Sequence, residues 1–188
     1  NHPSIIKVYG YSPNNFKNNL NPVTIAEYAQ NGSLDEIIYE KLLSYKSSQD
    51  FNTNLNDYSQ LKRYLKSKRD SNTIRRKKIF YQIQKLIIIY GVASAMSYLH
   101  SHNIVHRGLD LKNIFLDDKF YPKISGFNIC REISDIFVEK VSKIKGPLKY
   151  LAPEVFKNLE YSKKSDVFSF SLILYELITN ETFFKEIE

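Results

Sequence analysis

The side chains best suited to chemistry lie in one short loop, residues 106–113, which reads His-Arg-Gly-Leu-Asp-Leu-Lys-Asn. Its carboxylate, Asp110, is a candidate proton acceptor, and the amide oxygen of Asn113 is a neutral metal ligand. A second segment, residues 123–128, reads Lys-Ile-Ser-Gly-Phe-Asn. Gly108 and Gly126 bring no side chain to these two segments, so the groups available for chemistry here are few.

Hydrophobic patterning predicts the elements that must position these segments. Upstream of the loop, apolar residues recur at helical spacing and predict one buried face of a helix that starts near Leu86 and ends near residues 101–103: Ile88, Val92, Ala95, Met96 and Leu99. Short strands follow around residues 114–116 and 121–124. Residues 165–179 are apolar nearly all round, which is typical of a helix buried in the middle of a domain.

The N-terminal part is predicted to contribute two strands and the start of another helix. Residues 5–9 and 23–28 are β-branched and aromatic runs bounded by Pro, Gly and Asn, which favours two strands joined by a polar loop. Ser33 and Glu36 form a capping-box pattern, which predicts a helix from there into the low forties. Residues 46–82 show no clear apolar period and are interpreted as a surface insertion, partly disordered.

Composition indicates a globular protein. The 188 residues suffice for one domain, and 43% of them are hydrophobic, with 14 Tyr and 12 Phe. Cys130 is the only cysteine, which excludes an intrachain disulfide and fits a reducing, intracellular setting. No stretch resembles a signal peptide, and the apolar runs are too short to span a membrane. We therefore expect a cytoplasmic protein without a membrane partner.

The net charge of +7 resides in one segment. Residues 61–85 hold ten Lys or Arg and one acid, Asp70. The net charge of this run alone therefore exceeds the net charge of the whole chain. One interpretation is a solvated insertion, and the other is a docking surface for an acidic partner or nucleic acid. Tyr64, Phe80 and Tyr81 interleave with the cations, but no nucleic-acid-binding fold accompanies them, so we expect protein partners and no nucleic acid.

Eight segments resemble the protein kinase family, in the family's order. Residues 106–113 resemble the catalytic loop, His-Arg-Asp-Leu-Lys-x-x-Asn, and residues 123–128 take the place of the family's Asp-Phe-Gly. The sequence of residues 165–170, Ser-Asp-Val-Phe-Ser-Phe, most resembles that of the tyrosine-kinase-like group. The other segments correspond to a strand entry, the hinge, a helix start, the approach to the loop and the end of the activation segment: residues 1–6, 26–29, 31–34, 98–100 and 146–154.

The resemblance implies an α+β, protein-kinase-like fold over residues 1–188. Residues 1–30 would form a partial N-lobe of two strands and the hinge. Residues 31–188 would form a mostly helical C-lobe, with the basic surface insertion at about 46–82. A complete kinase would have a Gly-rich phosphate loop, a phosphate-binding Lys and its Glu partner upstream. The six glycines here, at 10, 32, 91, 108, 126 and 146, never cluster, so the sequence resembles a kinase domain clipped at both ends.

The family positions that carry the chemistry are altered. Gly108 stands at the position of the family's catalytic base, a group that typically accelerates the reaction by about 10²–10⁴-fold. Gly126 stands at the metal-binding Asp and has no ligand atom, so only Asn113 remains of the two metal-binding side chains. Asp110 replaces a Lys that neutralises phosphate charge, and at about 4 Å it would repel phosphate by about 4 kcal/mol at a dielectric of about 20. Pro147 replaces the Thr that supports the base.

A second interpretation of the loop remains open. Residues 110–112 read Asp-Leu-Lys, which resembles the family motif displaced by two residues. Asp110 is therefore an alternative, displaced base. In that case the chain would keep a proton acceptor and would still lack the metal ligand at Gly126.

The resemblance also implies where ATP and Mg²⁺ would bind. Ala26, Glu27 and Ala29 correspond to the gatekeeper and hinge, Phe115 to the floor under the adenine, and Ser125 to the position before the metal-binding residue. Phe115 is bulkier than the family's usual Leu, and no Gly-rich loop covers the pocket. We therefore expect nucleotide and Mg²⁺ binding to be weak or absent.

Several retained residues are expected to pack rather than to react. His106 and Phe127 correspond to members of the family's hydrophobic spine. Asp166 corresponds to a buried Asp that caps backbone amides of the catalytic loop. Arg107 could pair with a phosphorylated serine of the activation segment, for which the candidates are Ser134 and Ser142.

Three functions follow from this combination of features. The first, which we favour, is a catalytically inactive pseudokinase that binds or scaffolds in signalling and folds cooperatively. The second is an ATP-dependent serine/threonine protein kinase, which requires a Gly-rich loop upstream of Asn1. The third is a truncated copy that does not fold alone, with exposed apolar surface where the missing lobe should pack.

Overall fold

The computed structural model describes residues 1–13, 22–38, 71–133, 139–140 and 142–180. A two-stranded sheet at the N-terminal end precedes a mostly helical part that also contains three short two-stranded sheets. This arrangement of mixed strands and helices agrees with the α+β fold that the sequence predicts.

The two predicted N-terminal strands pair with each other. Strand β1 (Val8–Ser12) is antiparallel to β2 (Val23–Ala26), with Val8 opposite Ala26. The first predicted strand starts later than residue 5, because residues 5–6 bond to Ile124 instead: the Ile6 N–H donates to the Ile124 carbonyl over 2.8 Å. Apolar side chains of the β1–β2 sheet are exposed: Val8, Tyr9, Tyr11 and Ile25. The third functional hypothesis predicted apolar exposure of this kind.

The predicted capping box opens the next helix. The Ser33 N–H donates to Glu36 Oε2 over 3.0 Å, and the Glu36 N–H donates to Ser33 Oγ over 3.4 Å. Helix α1 covers residues 34–38 of the described chain. Its predicted continuation into the low forties, and residues 46–70 of the predicted insertion, lie outside the described residues.

The long helix α2 (Ser71–Ser101) is the largest difference from the sequence prediction. Its C-terminal end and its buried face are as predicted, with Ile88, Val92, Ala95, Met96 and Leu99 all buried. It begins at Ser71 rather than near Leu86, so residues 71–82 are helical although the sequence predicts an irregular insertion there. Apolar periodicity reports burial, whereas Arg, Lys and Gln form helices without it.

Short elements follow α2 and surround the loop at residues 106–113. They are β3 (Ile104–Val105), which pairs with β6 (Arg131–Glu132); β4 (Ile114–Leu116), which pairs with β5 (Pro122–Ile124); and β7 (Glu139–Lys140), which pairs with β8 (Glu160–Tyr161). The predicted strands at 114–116 and 121–124 are therefore confirmed. Gly91 brings α2 close to β5, because a Cβ at that position would lie 2.4 Å from Pro122 Cγ.

The C-terminal part of the described chain consists of α3 (Pro153–Asn158) and α4 (Lys163–Thr179). Helix α4 starts with a capping box in which Ser162 and Ser165 bond reciprocally. Leu172, Ile173 and Leu177 of α4 join the main core. The prediction of burial on every side is wrong in detail, since other apolar residues of this helix are exposed: Val167, Tyr175 and Ile178. Across the described ranges, no helix has the length and apolarity that crossing a membrane requires.

Candidate functional site

The loop at residues 106–113 is held in place by hydrogen bonds to the side chain of Asp166, which lies on α4. The Asp166 carboxylate accepts the backbone N–H groups of His106 and Arg107 over 2.8 and 2.9 Å, and His100 Nε2 lies 2.9 Å from the same group. The Asp166 side chain is 1% exposed. The expectation that Asp166 caps the backbone of this loop is confirmed, and the loop therefore depends on one buried carboxylate.

His106 is a buried packing residue with a defined tautomer. Its Nε2 lies 2.8 Å from the Ser125 carbonyl and must donate, while its Nδ1 accepts the Gly108 N–H over 3.3 Å. The ring meets Phe127 edge-on, with centroids 5.3 Å apart. Burial lowers the pKa of His106 below its ordinary value, although Asp166 acts in the opposite direction. One ring nitrogen that donates and one that accepts is the pattern of a neutral imidazole.

This lowered pKa predicts acid sensitivity. In the unfolded chain the pKa of His106 is 6.5, and the folded protein binds this proton less readily. The contribution of neutral His106 to stability is therefore complete above about pH 6.5 and declines below it. We expect the unfolding free energy to fall with a His106-dependent slope approaching about 1.4 kcal/mol per pH unit. Denaturant titrations from pH 8 to pH 5 should show that slope, and the His106→Phe variant should lose it. Equal slopes in both proteins would contradict the assignment.

The carboxylate of Asp110 caps the turn that follows it. Asp110 Oδ1 accepts the Asn113 N–H over 2.8 Å at the start of a 3-10 turn, Leu111–Asn113. The Asp110 residue is 7% exposed, and burial raises the pKa of its carboxyl above the ordinary value, with the Asn113 hydrogen bond opposing. A Cβ at Gly108 would lie 2.9 Å from Ile129 Cδ1, so the end of that side chain would have to shift. Asp110 thus has a structural partner inside its own loop.

The amide of Asn113 fills the space in front of Gly126. Asn113 Nδ2 donates to the Gly108 carbonyl over 2.7 Å, and the Asn113 carbonyl accepts the Ser125 N–H over 2.8 Å. Gly126 has a φ of 86°, and a Cβ built on it would lie 2.6 Å from Asn113 Cγ and 2.8 Å from both terminal atoms of the amide. Hydrogen bonds therefore join Gly108, Asp110, Asn113 and Ser125 into one cluster, and Gly126 lies against the Asn113 amide.

Arg107 packs within the fold instead of pointing to solvent. It is 4% exposed, its Nε donates to the Ile129 carbonyl over 2.5 Å, and its guanidinium carbon lies 5.4 Å from the centre of the Tyr161 ring. These contacts match the packing role expected of the retained residues. Ser142 is exposed, whereas Ser134, the other candidate phosphorylation site, lies outside the described residues.

The predicted hinge residues lie apart from this cluster and connect to it through β5. The Glu27 N–H donates to the Lys7 carbonyl over 2.8 Å, and Glu27 Oε1 lies 3.3 Å from Lys123 Nζ. Lys123 pairs with Phe115 across the β4–β5 sheet. Ala26 ends β2, and Ala29 is buried and accepts the Gly32 N–H over 3.3 Å.

The donor set at the cluster does not fit Mg²⁺. This ion requires several hard oxygen ligands, usually including carboxylates. The cluster offers the amide oxygen of Asn113, no side chain at Gly126, and a carboxylate at Asp110 that caps the turn. In the part of the chain that the structure describes, no group of three or more His, Cys, Asp or Glu residues could hold a metal ion.

Sequence reasoning missed three residues that shape the site. His100 shares the Asp166 carboxylate, Ile129 limits the space at Gly108, and Lys123 pairs with Glu27. The His100–Asp166 and Lys123–Glu27 pairs join residues far apart in the chain. No local spacing signals such contacts, so only the folded structure reveals them.

Comparisons with known proteins agree with the resemblance. A family model described as "Protein tyrosine and serine/threonine kinase" matches residues 1–187. A probable serine/threonine-protein kinase of Dictyostelium discoideum is 32% identical over 181 residues, which cover 96% of the chain and 11% of that relative. Wall-associated receptor kinase-like 6 of Arabidopsis thaliana is 31% identical over 184 residues, covering 96% of the chain and 23% of the relative.

A third relative matches only part of the chain. Human mitogen-activated protein kinase kinase kinase 13 is 39% identical over 100 residues, which cover 52% of the chain and 10% of the relative. The chain spans less than a quarter of the length of each of these three relatives.

Proposed function

The chain belongs to the protein tyrosine and serine/threonine kinase family, and from this membership we propose that it is a catalytically inactive member, of the tyrosine-kinase-like group, that acts by binding other proteins in signalling. Kinases of this family use ATP and Mg²⁺, and one of the named relatives is a probable serine/threonine-protein kinase. The proposal concerns this chain's own residues, because the activities of the longer relatives belong to proteins of which the chain spans a small part.

The observation that carries the proposal is the filled space at Gly126. A metal-binding residue at this position would need room for a side chain, and its Cβ would lie 2.6 Å from Asn113 Cγ, so the Asn113 amide would have to move. The Asn113 amide is itself held by a 2.7 Å hydrogen bond to the Gly108 carbonyl. Without a second metal ligand, the several kcal/mol by which a metal ion stabilises phosphoryl transfer have no source here.

The position of the catalytic proton acceptor, Gly108, is the second feature that supports the proposal. Gly108 has no side chain, and the nearby Asp110 carboxylate accepts the Asn113 N–H over 2.8 Å. A base must reach the substrate hydroxyl, whereas Asp110 is buried and engaged in the cap. Its charge would also repel a phosphate group. These contacts support a structural role for Asp110 over the displaced-base interpretation.

A phosphoryl-transfer assay tests the proposal directly. Transfer of labelled γ-phosphate from Mg²⁺-ATP, to the chain itself and to a mixed serine/threonine peptide library, should not exceed that of a protein-free blank. The Asp110→Ala variant and its control, Asp118→Ala at an exposed position, should behave identically. Transfer by the unmodified chain would contradict the proposal, and its selective loss in Asp110→Ala would establish the displaced base.

Thermal unfolding with and without Mg²⁺-ATP tests nucleotide binding and independent folding together. We expect one cooperative transition whose midpoint is the same with and without nucleotide. A bound nucleotide would raise the midpoint, because a ligand at about 100 times its Kd adds about 2.7 kcal/mol of stability. A raised midpoint would show that the hinge at Glu27 and Ala29 still holds nucleotide and would favour an active kinase. A broad, non-cooperative transition would favour the truncated copy, in agreement with the exposed β1–β2 sheet.

A further inference from the structure

An open groove lies between the C-terminal end of α2 and the N-terminal half of α4. Its volume is about 520 Å³, which falls within the range of about 300–1,000 Å³ that small-molecule sites occupy. Every side chain that lines it belongs to the part of the chain that the structure describes. The apolar part of the lining comes from both helices: Ala93, Met96, Val167 and Phe170.

These apolar side chains suit a flat, unsaturated ring. Met96 is buried, and Phe170 is partly buried and packs against the main core. A thioether and a phenyl ring both make favourable contacts with an aromatic ligand. Val167 lines the same groove and is 58% exposed, so a ligand that packs against Met96 and Phe170 would also cover an apolar side chain that the described fold leaves in water.

His100 supplies the groove with a hydrogen-bond acceptor. Its Nε2 lies 2.9 Å from Asp166 Oδ2, and because an ionised carboxylate only accepts, Nε2 must donate. The other ring nitrogen, Nδ1, is then an acceptor in the neutral ring. Among the described residues Nδ1 has no hydrogen-bond partner and is not one of the buried atoms without a partner, so it is accessible.

The charged side chains of the groove balance each other. Its described lining contains one carboxylate, Asp166, and one ammonium, Lys163. Asp166 accepts the backbone N–H groups of His106 and Arg107, and Lys163 Nζ donates to Asn103 Oδ1 over 2.7 Å. A ligand with a net charge of either sign would therefore gain little from this lining, which favours a neutral ligand.

We propose that this groove binds a small neutral molecule of the phenol class, with one aromatic ring and one hydroxyl group. The ring packs against Met96 and Phe170 and covers Val167, and the hydroxyl donates to His100 Nδ1. This site goes beyond the binding of partner proteins proposed above. The ligand would lie beside the carboxylate of Asp166, which holds the loop at residues 106–113.

A titration with p-cresol, followed by the amide signals of the isotope-labelled chain in NMR, tests the proposal. We expect saturable shifts at residues 93–101 and 163–170. The matched ligand is the methyl ether of p-cresol, which keeps the ring and lacks the donor. It should bind about fivefold more weakly, the usual worth of one hydrogen bond.

Two protein variants locate the site. Val167→Glu places a charge in the groove and should weaken p-cresol binding by at least about fivefold. Ile178→Glu is the matched control, because Ile178 is 61% exposed on the same helix and does not line the groove. It should stay within about twofold of the unmodified chain. Both replaced side chains are exposed, so both variants should fold.

Several outcomes would overturn the proposal. They are the absence of saturable binding, shifts confined to other residues, equal affinity for p-cresol and its methyl ether, and equal losses in the two variants. N-acetyltyrosinamide carries the same phenol on a peptide backbone, and tighter binding of it than of p-cresol would reassign the groove to a tyrosine of a partner protein. None of these measurements involves phosphoryl transfer, so their result is independent of the inactivity proposal.

Discussion

Replacing Asp166 with alanine is expected to lower the free energy of unfolding by about 3–5 kcal/mol, since it removes the shared acceptor of a buried network. The carboxylate accepts the N–H groups of His106 and Arg107 and lies against His100, and it is 1% exposed. Its loss leaves two backbone donors without their acceptor, each of which costs about 1–3 kcal/mol when buried. Chemical denaturation followed by far-UV circular dichroism measures the change.

Asp118→Ala is the matched control, because Asp118 is an exposed carboxylate on the turn between β4 and β5. We expect it to change the unfolding free energy by no more than about 0.5 kcal/mol. Asp166→Asn should fall between the two variants, since the amide keeps one acceptor oxygen. A loss below about 1 kcal/mol in Asp166→Ala would mean that the loop at residues 106–113 has other supports of equal strength.

Restoring a metal-binding carboxylate by Gly126→Asp is expected to destabilise the protein by about 2–4 kcal/mol without producing phosphoryl transfer. The backbone at Gly126 has a φ of 86°, where a side chain costs about 1–2 kcal/mol. The new Cβ would also lie 2.6 Å from Asn113 Cγ, and moving that amide breaks its bond to the Gly108 carbonyl. Thermal and chemical unfolding measure the loss, and the γ-phosphate assay measures the activity.

Two further variants separate the steric contribution from the backbone contribution. Gly10→Asp is the control glycine, because a Cβ there meets no atom within 4 Å and its φ is not positive, so the loss should be smaller than about 1 kcal/mol. Combining Gly126→Asp with Asn113→Ala should cost less than the sum of the two single losses. Full additivity would show that the Asn113 amide does not obstruct position 126.

Much of the fold was predictable because its signals are local. The capping pattern at Ser33 and Glu36, the core face of α2 and the strands at 114–116 and 121–124 all depend on residues close together in sequence. The start of α2 at Ser71 was not predictable from periodicity, since Arg, Lys and Gln form helices without an apolar repeat. Exposure of Val167 and Ile178 on α4 was missed because apolar composition does not say which face is covered.

For the candidate site, the sequence alone determined which groups are present: no side chain at Gly108 or Gly126, a carboxylate at Asp110 and an amide at Asn113. Those identities already weaken the case for phosphoryl transfer, because no arrangement of the chain can supply missing ligand atoms. Only the tertiary structure decided how the remaining groups are used. Contacts between distant segments place the Asn113 amide in front of Gly126 and Asp166 beneath the loop, and neighbours in space are set by folding rather than by sequence order.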